Sequence, residues 1–482
     1  LKELIKKSGE KVDIPVGDIY LPVNAEVKHA FVIGRPGVGK TVMMSQVLQR
    51  LKERKAKGIV YDFKGDYVSK FFDPERDILF NPLDSRCIGC QIFNEISILM
   101  DIEAVAGSLI PPARNEQAFF HDAARDVLVG ILRKLHIQGV TTNMDIWRAV
   151  SAPGKEIADM LESTPGGERG LRAISGTGVG KQADGVLATL MQFGKTFEYM
   201  PHLKGDYSIQ RWIENDGGGM IFVTNYADIQ DTLRPILSLF VDLVGRRLLA
   251  MEDDYHRRVF FLIDELGTLQ RLATIIRLLT LSRSKGGSVW LGIQDIGQLD
   301  KIYTSDHRQS IVNGCGNSAI FSVADPVAAK FLSDKIGDTE YLETEESTSM
   351  GVADNRDGVS LMRRKRLEKL ILPSQIQSLP DLNCYLQVAG FPITQAALEY
   401  SSYPNREQMF TLRDGLNLAE IAAAQEKIIR EAAEKTGLLA QRKTAKEKTE
   451  KEAANIETET KKRENGQDRD TAGELEFDID GD

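Results

Sequence analysis

The sequence predicts an α/β protein: a parallel sheet with helices on its faces, interrupted by an all-α insertion and followed by a charged, disordered tail. Three observations carry this. Short apolar runs alternate with helical patterns over residues 30–97 and again over 206–404, as strand–helix–strand units of one sheet do. Between about 98 and 205 the strand signal vanishes and helix-like stretches follow one another. Beyond about 440 a Lys/Glu-rich run has no apolar period.

The elements follow in order. Residues 30–34 read as a buried strand, 41–51 as an amphipathic helix, 58–62 as a strand, 66–72 as a helix and 78–80 as a short strand. These fill a first part, 1–97. The all-α insertion, 98–205, holds helical patterns at 116–135, 144–150, 155–161 and 185–197, punctuated by Ala152-Pro153-Gly154 and Thr164-Pro165-Gly166-Gly167. Strands return at 220–224, 259–263, 288–293 and 317–323, and 384–388 with 393–398 look like a closing pair around Gly390. This second part runs over 206–404. The last stretch, 405–482, starts as one helix with Asn417 as N-cap and Glu420 completing a capping box. It ends in a tip, 471–482, with five acids and no base. Such composition buries too little surface to offset chain entropy.

The 482 residues carry 61 basic and 70 acidic side chains, a net charge of −9. That excludes a globally basic nucleic-acid coat but leaves room for a local basic surface. No run approaches the ~20 apolar residues of a membrane span. The chain begins Leu1-Lys2-Glu3 without a signal-peptide pattern, so it is expected to be a fragment of something longer. Four cysteines make no disulfide framework. Cys87 and Cys90 form one C-x-x-C, half a zinc site at most, and reduced structural thiols are the simpler reading.

Gly34-Arg35-Pro36-Gly37-Val38-Gly39-Lys40-Thr41 fits G-x-x-x-x-G-K-[ST] at every fixed position, between an apolar strand and an amphipathic helix. Such glycines let backbone N–H groups converge on phosphate oxygens. Lys40 then reaches the β/γ-phosphates and the Thr41 hydroxyl ligates Mg²⁺. A second stretch, Ser175-Gly176-Thr177-Gly178-Val179-Gly180-Lys181-Gln182, lacks the first Gly, the hydroxyl and the preceding strand; it reads as a turn. Val259-Phe260-Phe261-Leu262-Ile263-Asp264-Glu265 is a strand ending in two acids. Asp264 suits the water shell of Mg²⁺, and Glu265 suits deprotonation of the attacking water. Gln294, ending the next strand, is either a γ-phosphate sensor or a surface amide. Arg283 lies at the opposite sheet edge, so it serves either as an arginine finger on a neighbouring subunit's nucleotide or as a solvated helix-end residue. Asp62 and Asp66 read as structural or supporting. Arg363-Arg364-Lys365-Arg366 reads as a solvated strand face balanced by Glu343, Glu345 and Glu346, with contact to DNA phosphates as the alternative.

Over residues 20–400 the chain resembles the type IV coupling proteins of bacterial conjugation, the TraD/TrwB-like ATPases. The resemblance rests on the P-loop, Asp62-Phe63-Lys64-Gly65-Asp66, Ile78-Leu79-Phe80-Asn81-Pro82-Leu83-Asp84, Phe93-Asn94-Glu95, Phe261-Leu262-Ile263-Asp264-Glu265, Gly292-Ile293-Gln294 with Gln298-Leu299, and Leu379-Pro380-Asp381-Leu382. It implies a RecA-like P-loop nucleotide-binding domain interrupted by the small all-α domain, with ATP and Mg²⁺ as cofactors. It implies a homo-hexameric ring with nucleotide sites at subunit interfaces, where Arg283 would act in trans. It also implies partners: DNA, as single-stranded transfer strand or duplex, a relaxase with relaxosome accessory proteins, and type IV secretion channel proteins. The setting would be the cytoplasmic face of the bacterial inner membrane, with N-terminal membrane helices absent from this fragment, itself soluble. The P-loop departs from the commoner small polar residues at Arg35-Pro36, which puts turnover, not binding, in question. Two alternatives stay open: a translocase of the FtsK/HerA type, and an adaptor that binds nucleotide without motor activity.

Overall fold

Val259–Ile263 and Gly287–Ile293 are buried along their whole length in the computed structural model, because parallel strands in mid-sheet are covered on both faces and so read as unbroken apolar runs. The structure describes residues 1–113, 115–175, 180–200, 205–215, 217–226, 230–349 and 358–415. Thirteen strands form among these: β1 (Val12–Val16), β2 (Ile19–Pro22), β3 (Ala30–Ile33), β4 (Lys57–Asp62), β5 (Ile78–Phe80), β6 (Gly219–Thr224), β7 (Val259–Ile263), β8 (Gly287–Ile293), β9 (Asn317–Ile320), β10 (Asp338–Ser349), β11 (Gly358–Lys369), β12 (Asn383–Gln387) and β13 (Thr394–Ala397). Nine of them make one sheet in the order β13-β12-β9-β3-β8-β7-β4-β6-β5. The pairings from β9 through β5 are parallel, while β12 runs antiparallel to both β9 and β13. The edge pair is buried only at alternate residues, as a sheet open on one face requires.

Helix Lys40–Glu53 follows β3 and buries Met43, Met44, Val47, Leu48 and Leu51, one stripe at helical spacing. Between β5 and β6 the described residues form helices, turns and isolated bridges. The central member is Ala118–Ile137, with Ala124, Val127, Leu128, Ile131 and Leu132 buried. Helix Glu168–Ile174 crosses it so closely that a Cβ at Gly170 would stand 2.8 Å from the Val127 backbone. Within the insertion, helices Leu99–Leu109 and Glu168–Ile174 went unmarked in the sequence, while Gln230–Ala250 is the helical pattern expected after the strand at 220–224. The last lies against the sheet, with Phe240 stacked on Phe80 at 3.9 Å between ring centroids.

Two pieces stand outside the main sheet. β1 and β2 form a small hairpin. β10 and β11 form a long antiparallel ribbon that sets the run Arg363 to Arg366 on an exposed strand, with Arg366 bonded to Glu343 at 2.9 Å and Lys365 to Glu340 at 2.7 Å. This is the solvated, acid-balanced face that composition suggested. Leu1–Leu412 make one compact unit and Arg413–Asp482 a second. The expected Asn417 cap, the acidic tip and most of the decoy glycine turn lie outside the described residues. Among those described, no helix is long and apolar enough to cross a membrane.

Candidate active site

Sheet order decides which residues meet. β8 lies between β3 and β7, and all three run parallel, so their C-terminal ends stand side by side. Ligands of open α/β sheets bind at this edge. It carries Gly34 to Thr41 after β3, Gln294 after β8, and Asp264 with Glu265 after β7.

The P-loop is pinned where it leaves the sheet. Gly34 N–H donates to the Ile293 carbonyl at 3.2 Å and Arg35 N–H to that of Ser322 at 2.8 Å. Gly37 and Gly39 then take φ of 84° and 115°, a region closed to most side chains, while Val38 between them is buried. A Cβ at Gly37 would meet nothing within 4 Å, so the exposed crest of the loop faces open space. Its outer side is braced by the 379–382 segment. Leu382, itself at φ 61°, donates its N–H to the Val38 carbonyl at 2.8 Å, and Asp381 holds Arg35 at 2.9 Å. The Arg35 departure thus faces its own protein. The Lys40 ammonium donates to the loop carbonyls of Gly34 and Arg35. Burial lowers its pKa, while Glu265 and Asp264 pull the other way.

Glu265 is buried opposite, with Asp264 half-buried beside it. Burial pushes the Glu265 carboxyl up to about 7; Lys40 opposes the rise, Asp264 adds to it and the Gln294 amides oppose it. Glu265 is 4% exposed, and neither of its oxygens completes a hydrogen bond among the described residues. Asp264 is likewise raised by burial, with Tyr67 and Lys40 opposing. At Gly292 a Cβ would come within 2.0 Å of the Asp264 carbonyl, so only glycine lets β8 bring Gln294 alongside the acids.

The structure therefore brings Gly34, Arg35, Pro36, Gly37, Val38, Gly39, Lys40, Thr41, Asp264, Glu265 and Gln294 to one edge. It leaves Arg283 exposed at the far edge, between helix Ile275–Leu281 and the start of β8, near His29. Tyr67 is a residue the sequence pattern did not mark. Its phenol is buried and donates to Asp264 Oδ1 at 2.8 Å. Apolar periodicity reads a tyrosine there as core, and nothing in the spacing signals a polar partner. Asp62, expected to be structural, accepts the N–H groups of Gly65, Tyr67 and Val68 at 2.9, 2.8 and 2.8 Å and so starts helix Asp66–Phe71. None of the four cysteines is in a disulfide. No cluster of three or more His, Cys, Asp or Glu able to hold a metal exists among the described residues, so Cys87 and Cys90 build no zinc site there.

A glycine loop with its lysine and hydroxyl, facing an acidic pair across one intervening strand, defines the P-loop ATPase class. Residues 13–399 match the model of the type IV secretion-system coupling protein DNA-binding domain, and the chain belongs to that family. Coupling protein TraD of Escherichia coli strain K12 is 28% identical over 422 residues, 85% of this chain and 58% of that protein. The chain thus spans little more than half the length of that relative. Among solved structures, the unbound monoclinic form of the bacterial conjugative coupling protein TrwBdeltaN70 superposes with a TM-score of 0.76 at 28% identity, covering 85% of this chain and 94% of that one. Plasmid coupling protein TrwB in complex with ADP and Mg²⁺ gives 0.74 at 27%, covering 85% and 95%. The fold is accordingly RecA-like, a P-loop ATPase sheet with an α-helical insertion.

Proposed function

We propose that this chain binds and hydrolyses ATP with Mg²⁺ and uses the energy to drive DNA in bacterial conjugation. In this reading it receives a relaxase–DNA complex and passes it to a type IV secretion channel at the cytoplasmic face of the inner membrane. The observation that carries the proposal is the convergence of Lys40, Thr41, Asp264, Glu265 and Gln294 at one sheet edge, on a fold shared with TrwB. The residues suit the nucleotide: the loop backbone at Gly37 faces open space, the Lys40 ammonium rests on the loop's own carbonyls, and the Glu265 oxygens are buried without a completed hydrogen bond. Mg²⁺ commonly takes one or two protein oxygens and completes its shell with phosphate and water, which suits Thr41 and Asp264.

Bound Mg²⁺ would neutralise charge developing on the phosphates. Lys40 holds the β/γ-phosphates, Glu265 accepts the proton of the attacking water, and Gln294 reports on the γ-phosphate from beside Glu265. Arg283 is too far from its own P-loop to contribute there. In a homo-hexameric ring it completes the neighbour's site, in keeping with its place at the opposite sheet edge.

The test is ATP turnover by the purified chain with and without single-stranded and duplex DNA. Expected is DNA-stimulated hydrolysis, absent in Lys40→Ala and reduced about 10²–10⁴-fold in Glu265→Gln. Turnover indifferent to DNA would favour the adaptor reading, and normal plasmid transfer by Lys40→Ala would overturn the motor.

A further inference from the structure

Tyr67 stands between the two groups suited to Mg²⁺. Its phenol donates to Asp264 Oδ1 at 2.8 Å, and the Thr41 side chain lies near enough to the same phenol to oppose the rise of its pKa. The ring is 2% exposed, and its backbone is held as firmly as its hydroxyl. Asp62, the last residue of β4, accepts the N–H groups of Gly65, Tyr67 and Val68. β4 in turn is paired with β7, and Asp264 N–H donates to the Tyr61 carbonyl at 3.3 Å. A closed circuit of hydrogen bonds therefore runs from the end of β4 through Asp62, the helix start and the phenol to Asp264, then back to β4.

We infer that Tyr67 is a positioning residue for Mg²⁺: its phenol fixes the Asp264 carboxylate next to Thr41, the two residues that would hold the ion. Mg²⁺ tolerates little departure from octahedral geometry, and partners that orient metal ligands typically matter 10–100-fold in metal affinity. A phenol is suited to the task because it donates to the carboxylate and still has a lone pair for the hydroxyl. The assignment rests on the ATPase reading above.

The decisive variant is Tyr67→Phe, which keeps the ring and removes only the oxygen. Binding of a fluorescent ATP analogue is titrated at fixed Mg²⁺ and again in EDTA, and Mn²⁺ binding to the nucleotide complex is followed by electron paramagnetic resonance. Expected is a rise of about tenfold or more in the Mg²⁺ needed for half-maximal effect, with nucleotide affinity in EDTA unchanged. Asp62→Asn, which loosens the same circuit from its far end, should shift the Mg²⁺ requirement the same way. A Tyr67 that serves packing alone would lower the melting temperature and leave the Mg²⁺ titration where it was; that result overturns the assignment. If wild-type nucleotide binding is itself indifferent to Mg²⁺, the ATPase reading fails, and Tyr67 with it.

Discussion

His29 enters β3 at φ 55° with its imidazole buried and its Nδ1 accepting the Val289 N–H at 3.2 Å. Burial lowers its pKa from 6.5 to about 4, Leu279 opposes and Arg283 adds to the fall. The folded protein thus holds neutral imidazole while the unfolded chain protonates near 6.5. Its contribution to stability is complete above that pH and is lost as pH falls toward 4, by about 3 kcal/mol. Wild type should lose about that much more than His29→Asn between pH 7 and 4, measured by urea unfolding; Asn tolerates the same φ. Gly292 gives a second prediction. Alanine there would set a methyl 2.0 Å from the Asp264 carbonyl, forcing β8 and β7 apart where Gln294 meets Glu265. Gly292→Ala should cut ATP turnover more than tenfold while nucleotide binding through the P-loop persists, as steady-state kinetics beside equilibrium binding would report.

At the level of elements, one carboxylate ties the α-helical insertion to the sheet. Asp242, buried in helix Gln230–Ala250, accepts from the Ser108 hydroxyl at the end of helix Leu99–Leu109. It also accepts from Thr274 N–H and Oγ1 at 2.8 and 2.5 Å, and from Arg246 at 3.2 Å. Removing it strands several buried donors at once, and breaking a buried charge network typically costs 3–5 kcal/mol. Asp242→Ala should therefore lower unfolding free energy by roughly 3 kcal/mol and expose the Leu99–Leu109 region to limited proteolysis ahead of the sheet. The Asn81 segment shows the same economy. Its amide donates to Thr224 Oγ1 at 3.1 Å and its carbonyl oxygen accepts from Leu83 N–H at 3.1 Å, which joins the ends of β5 and β6. That motif was legible as a family signature, and its structural task becomes visible only when the two strands lie side by side.

For the whole molecule, the position of Arg283 at the edge opposite its own P-loop makes assembly the question. Arg283→Ala and Glu265→Gln should each cut turnover at least about 10²-fold alone. Mixed in equal amounts they should regain activity, at most about a quarter of wild type, since roughly one interface in four then pairs an intact Glu265 with an intact Arg283. Mixtures as inactive as the parents would remove Arg283 from the site. The net charge of −9 carries little information about such a ring. Residues 471–482 supply −5 of it, leaving the remaining 470 residues close to neutral for their length. DNA would then be met by local basic positions, with an affinity that falls as salt rises.

The sequence by itself determined the class of sheet and most of the site. Short unbroken apolar runs such as Val259–Ile263, alternating with helical patterns, read as parallel strands covered on both faces, and Gly34 to Thr41 carries its geometry in its own backbone, where glycine supplies the φ the loop needs. Local pattern also located Asp264 and Glu265, because acids ending a buried strand fall at a sheet's working edge. Tertiary structure decided what depends on strand order. Only the insertion of β8 between β3 and β7 turns Gln294 from one of two readings into a neighbour of Glu265 and explains Gly292. Only the packing of helix Asp66–Phe71 reveals Tyr67, since a buried phenol and a buried ring look alike in a periodic pattern. The helices Leu99–Leu109 and Glu168–Ile174, the hairpin β1–β2 and the pairing of β10 with β11 went unread for the same reason: the partners that stabilise them lie elsewhere in the chain or on a strand whose pairing no local signal announces.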